Sequence, residues 1–388
     1  MTRKTALSLA FAATLLTPGL AAEAAEVPTV VTSIKPVHSL VASLMKGAGA
    51  PHLIVKGGGS PHSYSLKPSD AAALQRAKVV FWVGEELEVF LEETIETIAS
   101  DARVVALADA EGVSLLPFRE GGPWAEHEDH GEHAHEEHAE HEHHEHAEHA
   151  HEKHEEHAHE EHAEHAHEKH EEHAHDEHAE HAHEKHEEHA HDEHGHEGHA
   201  HEEHAEHGHD EHAHGEFDMH IWLDPENAKI MAAAAAKALI EADPANGDLY
   251  RANKAALDQR LEALGAEITA ELATVKDAPF VVFHDAYQYM EQRFDLNTVG
   301  SITVSPERQP GAARLREIHE KIGELNARCV FAEPQFEPRL VRTVVEGTAA
   351  KTGILDPLGA DLKDGPDLYF ELMRRNAESL RDCLGESS

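Results

Sequence analysis

The chain has 388 residues, a formal net charge of −44, 41 histidines and only two cysteines. Two cysteines are too few for a cysteine-rich zinc site, so an ordered metal site must use histidine and carboxylate. Most of the negative charge lies in one segment, and the rest is mildly acidic, which argues against nucleic acid as a partner. Outside that segment the chain is long enough for two ordinary domains.

The first 24 residues have the features of a secretory signal peptide. Arg3 and Lys4 precede an apolar run at residues 6–16, and small residues allow cleavage near Ala24. The run is short for a membrane span, and no later stretch approaches ~18 apolar residues. No cysteine lies near the cleavage position to carry a lipid anchor. We therefore expect a soluble, exported protein, most simply in a bacterial periplasm.

Residues 25–125 alternate between strand and helix patterns, which indicates an N-terminal α/β lobe with a parallel sheet. Short runs rich in β-branched residues predict the strands. Helical spacing of apolar residues, with a Pro-Ser-Asp start at Pro68, predicts the helices. The predicted strands are 28–33, 53–55, 79–83 and 104–107, and the predicted helices are 37–45, 68–76 and 87–99.

Residues 126–216, here called the arm, consist almost entirely of His, Glu and Ala. They contain 35 histidines and have 34 acidic residues against three lysines, a net charge of −31. Without a large apolar side chain the arm cannot bury a core, so we expect it to be disordered. Its imidazoles and carboxylates suit zinc, so we expect the arm to be an auxiliary weak zinc collector or sensor. A sixteen-residue repeat starts at His149, His165 and His181. Representative auxiliary ligands in the arm are His127, His130, His133, His135, His149, His165, His181 and His214.

The chain after the arm completes one lobe and forms another. Asp224 and Pro225 start a helix to about residue 242, so residues 217–244 are assigned to the N-terminal lobe. A long helix at residues 245–277 is predicted to be a rigid connector, and residues 278–388 to be a C-terminal α/β lobe. Its predicted strands are 280–283, 298–304, 329–332 and 353–355, and its predicted helices are 311–326, 339–351 and 368–384.

Six histidines lie outside the arm. His319 is expected to lie at the surface, and His38 and His52 are expected to be structural or exposed. The others have more informative contexts. His62 stands in a Gly/Ser/Pro loop, His220 just before a capped helix, and His284 directly after a buried strand.

Ligands of open α/β sheets bind beyond the carboxyl ends of strands, where His284 and Asp356 are predicted to lie. Three imidazoles with a carboxylate oxygen or a water molecule form a tetrahedral site that suits zinc. We therefore predict a zinc site made by His62, His220 and His284, with Asp356 as a candidate fourth ligand.

Several blocks of this sequence resemble the ZnuA-type periplasmic zinc-binding protein, the solute-binding component of bacterial ABC zinc-uptake transporters. The resemblance implies two α/β lobes with parallel sheets, joined by one long helix, with the metal between them and the arm as an insertion in the N-terminal lobe. It also implies a membrane permease as partner. The blocks are SPHSYSLKPSD (60–70), HIWLDPENA (220–228), VFHDAYQYME (282–291), SPERQPGA (305–312), CVFAEPQF (329–336) and LDPLG (355–359).

Carried over by position, the resemblance places the family's metal histidines at His62, His220 and His284, and its aspartate ligand at Asp356. Manganese-binding relatives have glutamate where this chain has His284, and imidazole favours zinc. Some zinc proteins have glutamate before the first histidine, where this chain has Pro61, so the fourth ligand is Asp356 or water. An oxidising compartment favours one disulfide, and the family disulfide matches Cys329 and Cys383.

Three functions fit these features. A binding protein would capture periplasmic zinc for a permease, and we expect it to be monomeric and not an enzyme. A zinc hydrolase would also use three histidines and an open position, but no HExxH motif occurs. A passive metal buffer would need no ordered site between two lobes.

Overall fold

The computed structural model describes residues 27–119, 215–303, 306, 310–337 and 339–385. The predicted signal peptide, the arm up to residue 214 with its auxiliary histidines, and part of the 305–312 block lie outside these residues. Within the described part of the chain, no helix combines the length and apolarity that crossing a membrane requires.

The N-terminal lobe is built on a four-stranded parallel sheet in the order β2–β1–β3–β4. Its two inner strands are fully buried, as expected for apolar runs covered on both faces. Its elements are β1 (Val30–Thr32), α1 (Lys35–Leu44), β2 (His52–Leu53), α2 (Pro68–Gln75), β3 (Val79–Trp82), α3 (Val89–Ile98) and β4 (Arg103–Ala106).

A two-stranded antiparallel ladder, which the sequence did not predict, follows this lobe. It pairs β5 (Leu116–Pro117) with β6 (Phe217–Asp218), and the N–H of Phe118 donates to the carbonyl of Glu216 at 3.3 Å. The chain on either side of the arm is therefore joined at the arm's base. A short 3₁₀ helix, Ile221–Leu223, leads from the ladder to the next helix.

The long helices come next in the chain. In α4 (Pro225–Ala242), the Asp224 carboxylate accepts from the N–H of Glu226 at 2.8 Å. A 3₁₀ turn, Pro244–Asn246, precedes α5 (Gly247–Leu272), whose 26 residues span about 39 Å. Its buried stripe includes Leu257, Leu261, Leu264 and Ile268.

The C-terminal lobe repeats the topology of the first. Its parallel sheet has the order β10–β9–β7–β8. Numbered within each lobe and read from the opposite edge, this is the same order as in the N-terminal sheet. Its elements are β7 (Phe280–His284), α6 (Gln288–Phe294), β8 (Thr298–Thr303), α7 (Ala312–Glu324), β9 (Cys329–Ala332), α8 (Arg339–Val345), β10 (Lys351–Ile354) and α9 (Leu368–Leu384).

The predicted fold class is confirmed, but some elements of the C-terminal lobe differ from the prediction. Helix α6 was not predicted, because seven residues are too few for a clear apolar period. Helix α8 was predicted to reach residue 351 and ends at Val345. Gly347 follows it with φ +80°, a left-handed conformation that ends helices, and β10 then begins at Lys351.

One apolar core runs through both lobes. It includes Val31 of β1, Leu261 of α5 and Phe331 of β9, whereas a second cluster lies on the other face of the C-terminal sheet. A disulfide between Cys329 and Cys383 joins β9 to α9. The pairing implied by the resemblance is therefore present.

Glu88 is a buried charge at the carboxyl end of β3. Its carboxylate accepts from the N–H of Val83 at 3.1 Å and from that of Gly84 at 3.0 Å, and its residue is 0% exposed. Burial raises the pKa of Glu88 to about 7, and these backbone hydrogen bonds offset only part of the rise.

We expect Glu88→Gln to change how stability depends on pH. Because the folded state raises the pKa of Glu88 from 4.5 to about 7, its stabilising contribution is full below about pH 4.5 and is lost as the pH rises through 7. A glutamine side chain keeps an acceptor oxygen and does not ionise. The variant's unfolding free energy relative to the parent's should rise by about 3 kcal/mol over this interval. Urea unfolding at several pH values measures this difference. Unfolding free energies of parent and variant that change equally with pH would contradict the raised pKa of Glu88.

Candidate metal centre

Three histidines from separate segments converge between the two sheets. One ring nitrogen from each of His62, His220 and His284 lies within 4.8 Å of the others, and these residues are here called the histidine cluster. His220 and His284 are buried, and His62 is half-buried. The structure therefore brings together the three histidines that the sequence singled out, although the nearest two in the chain, His220 and His284, are separated by 64 positions.

His62 lies in the loop that follows β2. Gly57, with φ +62°, lets the chain turn there, and the Tyr64 hydroxyl donates to the carbonyl of Ile54 at 3.1 Å. The N–H of His62 donates to Oγ of Ser60 at 3.3 Å. These contacts hold the His62 loop against the carboxyl end of β2.

His220 is oriented by Asp218 of β6. Oδ1 of Asp218 accepts from the N–H of His220 at 2.9 Å and from its Nδ1 at 2.7 Å. An ionised carboxylate only accepts hydrogen bonds, so Nδ1 carries the proton and the lone pair is on Nε2. The 3₁₀ helix and the Asp224 cap follow directly and fix the backbone at this point.

His284 ends β7 and is oriented in the same way by Glu333, which directly follows β9. Nδ1 of His284 donates to Oε1 of Glu333 at 2.6 Å. Burial by itself lowers the pKa of His284, but the charge and hydrogen bond of Glu333, together with the charges of Asp285 and Asp218, outweigh it and raise that pKa. Both rings of the pair therefore direct Nε2 away from their carboxylates.

The Nε2 atoms of His220 and His284 lie 3.3 Å apart. Two nitrogens bound to one tetrahedral zinc at 2.0–2.1 Å are separated by about 3.3–3.4 Å, so this spacing fits one zinc ion between them. The ring centroid of His62 lies 5.5 Å from that of His220 and 6.1 Å from that of His284. His62 thus offers a third nitrogen to the same point.

The cavity at the cluster is small. Its volume of about 10 Å³ is the room that one water-sized sphere requires. Besides the three histidines, its walls include Trp222, Phe336 and Leu358. This space suits a single small ion.

Buried negative charge surrounds the cluster. Oδ2 of Asp218 is buried and accepts no hydrogen bond from the described residues, and the buried carboxylate of Glu333 has the Tyr287 hydroxyl beside it. A carboxylate in such a place is costly unless positive charge compensates it. A divalent cation bound by the neutral histidines would supply that charge, so the donors and their surroundings fit zinc.

Asp356, the candidate fourth ligand, makes its hydrogen bonds within its own loop and to Gln335. It is not a member of the cluster, and its Oδ1 accepts from Gln335 at 2.7 Å and from the N–H groups of Leu358 and Gly359. Its Oδ2 accepts from the N–H of Ala360 at 2.6 Å. The Asp356 carboxylate thus organises its own loop, which the sequence did not indicate.

The other histidines have structural surroundings. His38 is 7% exposed, and Nε2 of His52 contacts Oδ1 of Asp70 at 3.0 Å. His319, predicted to be a surface residue, is half-buried, with Nδ1 3.0 Å from the carbonyl of Val344. None of them belongs to the metal-ligand group found among the described residues.

Comparison with known proteins identifies the family. The sequence model of ZnuA, described as zinc-uptake complex component A, periplasmic, matches residues 30–383. This chain belongs to the ZnuA family. The high-affinity zinc uptake system protein ZnuA of Brucella suis biovar 1 is 51% identical over 357 residues, covering 92% of each chain. That of Paracoccus denitrificans is 37% identical over 379 residues, covering 97% of this chain and 98% of its own.

Solved structures show the same fold at low identity. A crystal structure of ZnuA has a TM-score of 0.62 at 20% identity, covering 92% of this chain and 100% of its own. The laminin-binding protein Lmb of Streptococcus agalactiae gives 0.61 at 21% identity, covering 92% and 99%.

Membership of the ZnuA family settles the class of activity. The chain is a zinc-binding component of zinc uptake and not an enzyme, since the family consists of solute-binding transport proteins. ZnuA proteins bind Zn²⁺, and the histidine cluster fits that ion. Sequence reasoning missed Asp218 and Glu333, although both stand in the quoted blocks or within two residues of them.

We expect Glu333→Ala to weaken zinc binding about 10- to 100-fold, the usual effect of removing a carboxylate that orients a metal-binding histidine. Without its acceptor, the His284 ring can rotate and place its proton on Nε2. Glu333→Gln keeps an acceptor oxygen and should weaken binding less. Titration against a chromophoric chelator measures both affinities.

The control is Glu337→Ala, which removes an exposed carboxylate four residues further along the same segment. It should leave the affinity unchanged. Equal affinities for the parent and Glu333→Ala proteins would show that the hydrogen bond to His284 does not matter for binding.

Proposed function

We propose that this protein captures Zn²⁺ with His62, His220 and His284 and delivers it to the membrane permease of an ABC importer. The observation that carries the proposal is the 3.3 Å separation of the two Nε2 atoms, each belonging to a ring oriented by a buried carboxylate. A hydrolase is disfavoured because the chain has no HExxH motif and belongs to a family of solute-binding transport proteins. A passive buffer would not need such a defined geometry.

We propose that water, rather than Asp356, completes the coordination. The oxygens of Asp356 accept four hydrogen bonds from its own loop and Gln335, so turning one toward the cluster would leave several donors unpaired. Zinc sites with three protein ligands commonly keep a water in the fourth position. Asp356 then acts by shaping the loop that carries Pro357 and Leu358 to the cavity.

The ligand assignment predicts a ranking of variants. In a protein lacking residues 126–215, His62→Ala, His220→Ala and His284→Ala should each lower zinc affinity by orders of magnitude, because two nitrogens remain. Asp356→Ala should lower it less. Chelator competition gives the affinities. Delivery is tested by whether each variant restores growth of zinc-starved cells from which the native gene has been deleted. Three histidine variants with parental affinity, or an Asp356 effect larger than all three, would refute the assignment.

We propose that the arm is an auxiliary, weak collector of several zinc ions. Its histidines are spaced irregularly, so no single tetrahedral cage is specified, and a segment without large apolar side chains binds metal only at the entropic cost of ordering each partial site. The ladder β5–β6 supports removal of the arm without loss of the fold, since it joins the chain on both sides. Deleting residues 126–215 retains both strands of that ladder.

We expect the arm's zinc to be released between about pH 7 and pH 5, because histidine must be neutral to bind metal and titrates near pH ~6.5. Protonation of 35 histidines changes the arm's net charge from −31 to +4. Calorimetry of intact and arm-deleted protein on both sides of this interval measures the difference. One extra site as tight as the cluster, arm binding that ignores pH, or loss of cooperative unfolding after deletion would contradict the proposal.

A further inference from the structure

Arg119 links the base of the arm to the metal-binding segment of the C-terminal lobe. It follows β5 in the chain and is 20% exposed at its side chain. Its Nε donates to Oδ2 of Asp285 at 3.0 Å, and its Nη2 also contacts that carboxylate. Its Nη1 donates to Oε2 of Glu291 at 2.6 Å. Asp285 is the residue after His284, so Arg119 binds the side chain of the residue next to a member of the histidine cluster.

The carboxylates that Arg119 contacts are almost completely buried. The side chain of Asp285 is 1% exposed and that of Glu291 is 8% exposed. Burial raises the pKa of both acids, and Arg119 counteracts that rise. One guanidinium therefore compensates two buried acids, in a planar bidentate arrangement that lysine cannot reproduce.

Further contacts hold the same elements together. The Tyr289 hydroxyl of α6 donates to the carbonyl of Asp218 at 2.5 Å and accepts from the N–H of Leu116 at 3.0 Å. Nε2 of Gln288 donates to the carbonyl of Pro117 at 3.2 Å. We call this junction of the β5–β6 ladder and Arg119 with α6 and Asp285 the seam.

The seam connects the supports of two metal-binding rings. On the ladder side, Asp218 receives the proton of His220 in a hydrogen bond. On the other side, the backbone of Asp285 continues directly from His284. A change in the seam therefore alters the relative position of His220 and His284, whose nitrogens must stay about 3.3 Å apart to share one tetrahedral zinc.

We propose that Arg119 is a positioning residue for the zinc site. It joins the ladder that carries Asp218 to the segment that carries His284, and so slows zinc release. This inference rests on the proposed function of the histidine cluster. Arg119 acts through Asp285 and Glu291 and does not touch the metal. Its contribution concerns metal retention, because a buried ion pair by itself contributes little net stability.

The test variant is Arg119→Lys in the full-length chain, with zinc dissociation followed by rapid mixing with excess chelator. Lysine keeps the positive charge beside the two acids but loses the fork of donors. We expect the cluster's zinc to dissociate about tenfold faster, at the lower end of the effect of outer partners on metal sites. The unfolding midpoint of the metal-free protein should stay close to the parent's.

The control is Arg374→Lys, which breaks a bidentate contact with Glu267 between α9 and α5 at the exposed surface, away from the cluster. It should leave the dissociation rate unchanged. In an Asp285→Asn background, Arg119→Lys should add much less to the rate than in the parent, since the effect passes through Asp285. A purely structural role would lower the unfolding midpoint without this dependence on Asp285.

A parental dissociation rate in Arg119→Lys, or an equal increase in Arg374→Lys, would overturn the inference. If Arg119→Lys does not fold, Arg119→Met combined with Asp285→Asn and Glu291→Gln removes the cation and both acids together. That variant should fold and show the same faster release, and parental release would again overturn the inference. Absence of a tight zinc site in the parent protein would instead refute the proposed function, and this inference with it.

Discussion

The hydrogen bonds from Nδ1 of His220 and His284 to buried carboxylates determine the chemistry of the cluster. Asp218 and Glu333 each hold a proton on the nitrogen facing them, so the lone pairs of both rings lie on Nε2. Two such nitrogens at 3.3 Å are stable only with a cation between them, either a proton in a hydrogen bond or a metal ion. The same carboxylates supply the negative charge that a divalent ion requires, so orientation and electrostatic attraction have one origin.

The two lobes are both built on four-stranded parallel sheets but use the carboxyl ends of their central strands differently. In the C-terminal lobe, β7 and β9 are neighbours, and His284 and Glu333 lie at their carboxyl ends, where open α/β sheets bind ligands. In the N-terminal lobe, the central strands are β1 and β3, and Glu88 binds the backbone N–H groups after β3. At the carboxyl ends of their central strands, the C-terminal sheet thus supplies the metal-binding ring of His284, and the N-terminal sheet holds the buried acid Glu88.

The continuity of the core limits how the lobes can move. A single apolar cluster extends from β1 through α4 and α5 to β9, so wide separation of the lobes would expose part of that core. Lys35 of α1 adds hydrogen bonds to the carbonyls of Ala360 at 3.0 Å and Leu362 at 2.8 Å, in the loop that Asp356 organises. Local rearrangement of loops at the cluster therefore costs less than rigid opening, which makes contacts such as those of Arg119 relevant to release.

The sequence by itself determined the α/β class, most strands and helices, the long helix α5 and the three histidines. Local pattern carried each of these: buried β-branched runs, the apolar stripe of α5, the Asp224 cap, and blocks resembling a family. Only the tertiary structure decided the ladder β5–β6, the partners of the histidines and the place of Asp356. Glu333 meets His284 across 49 positions, and Arg119 meets Asp285 across 166. Such contacts depend on how strands are ordered in the sheet, and short-range periodicity carries no information about that order.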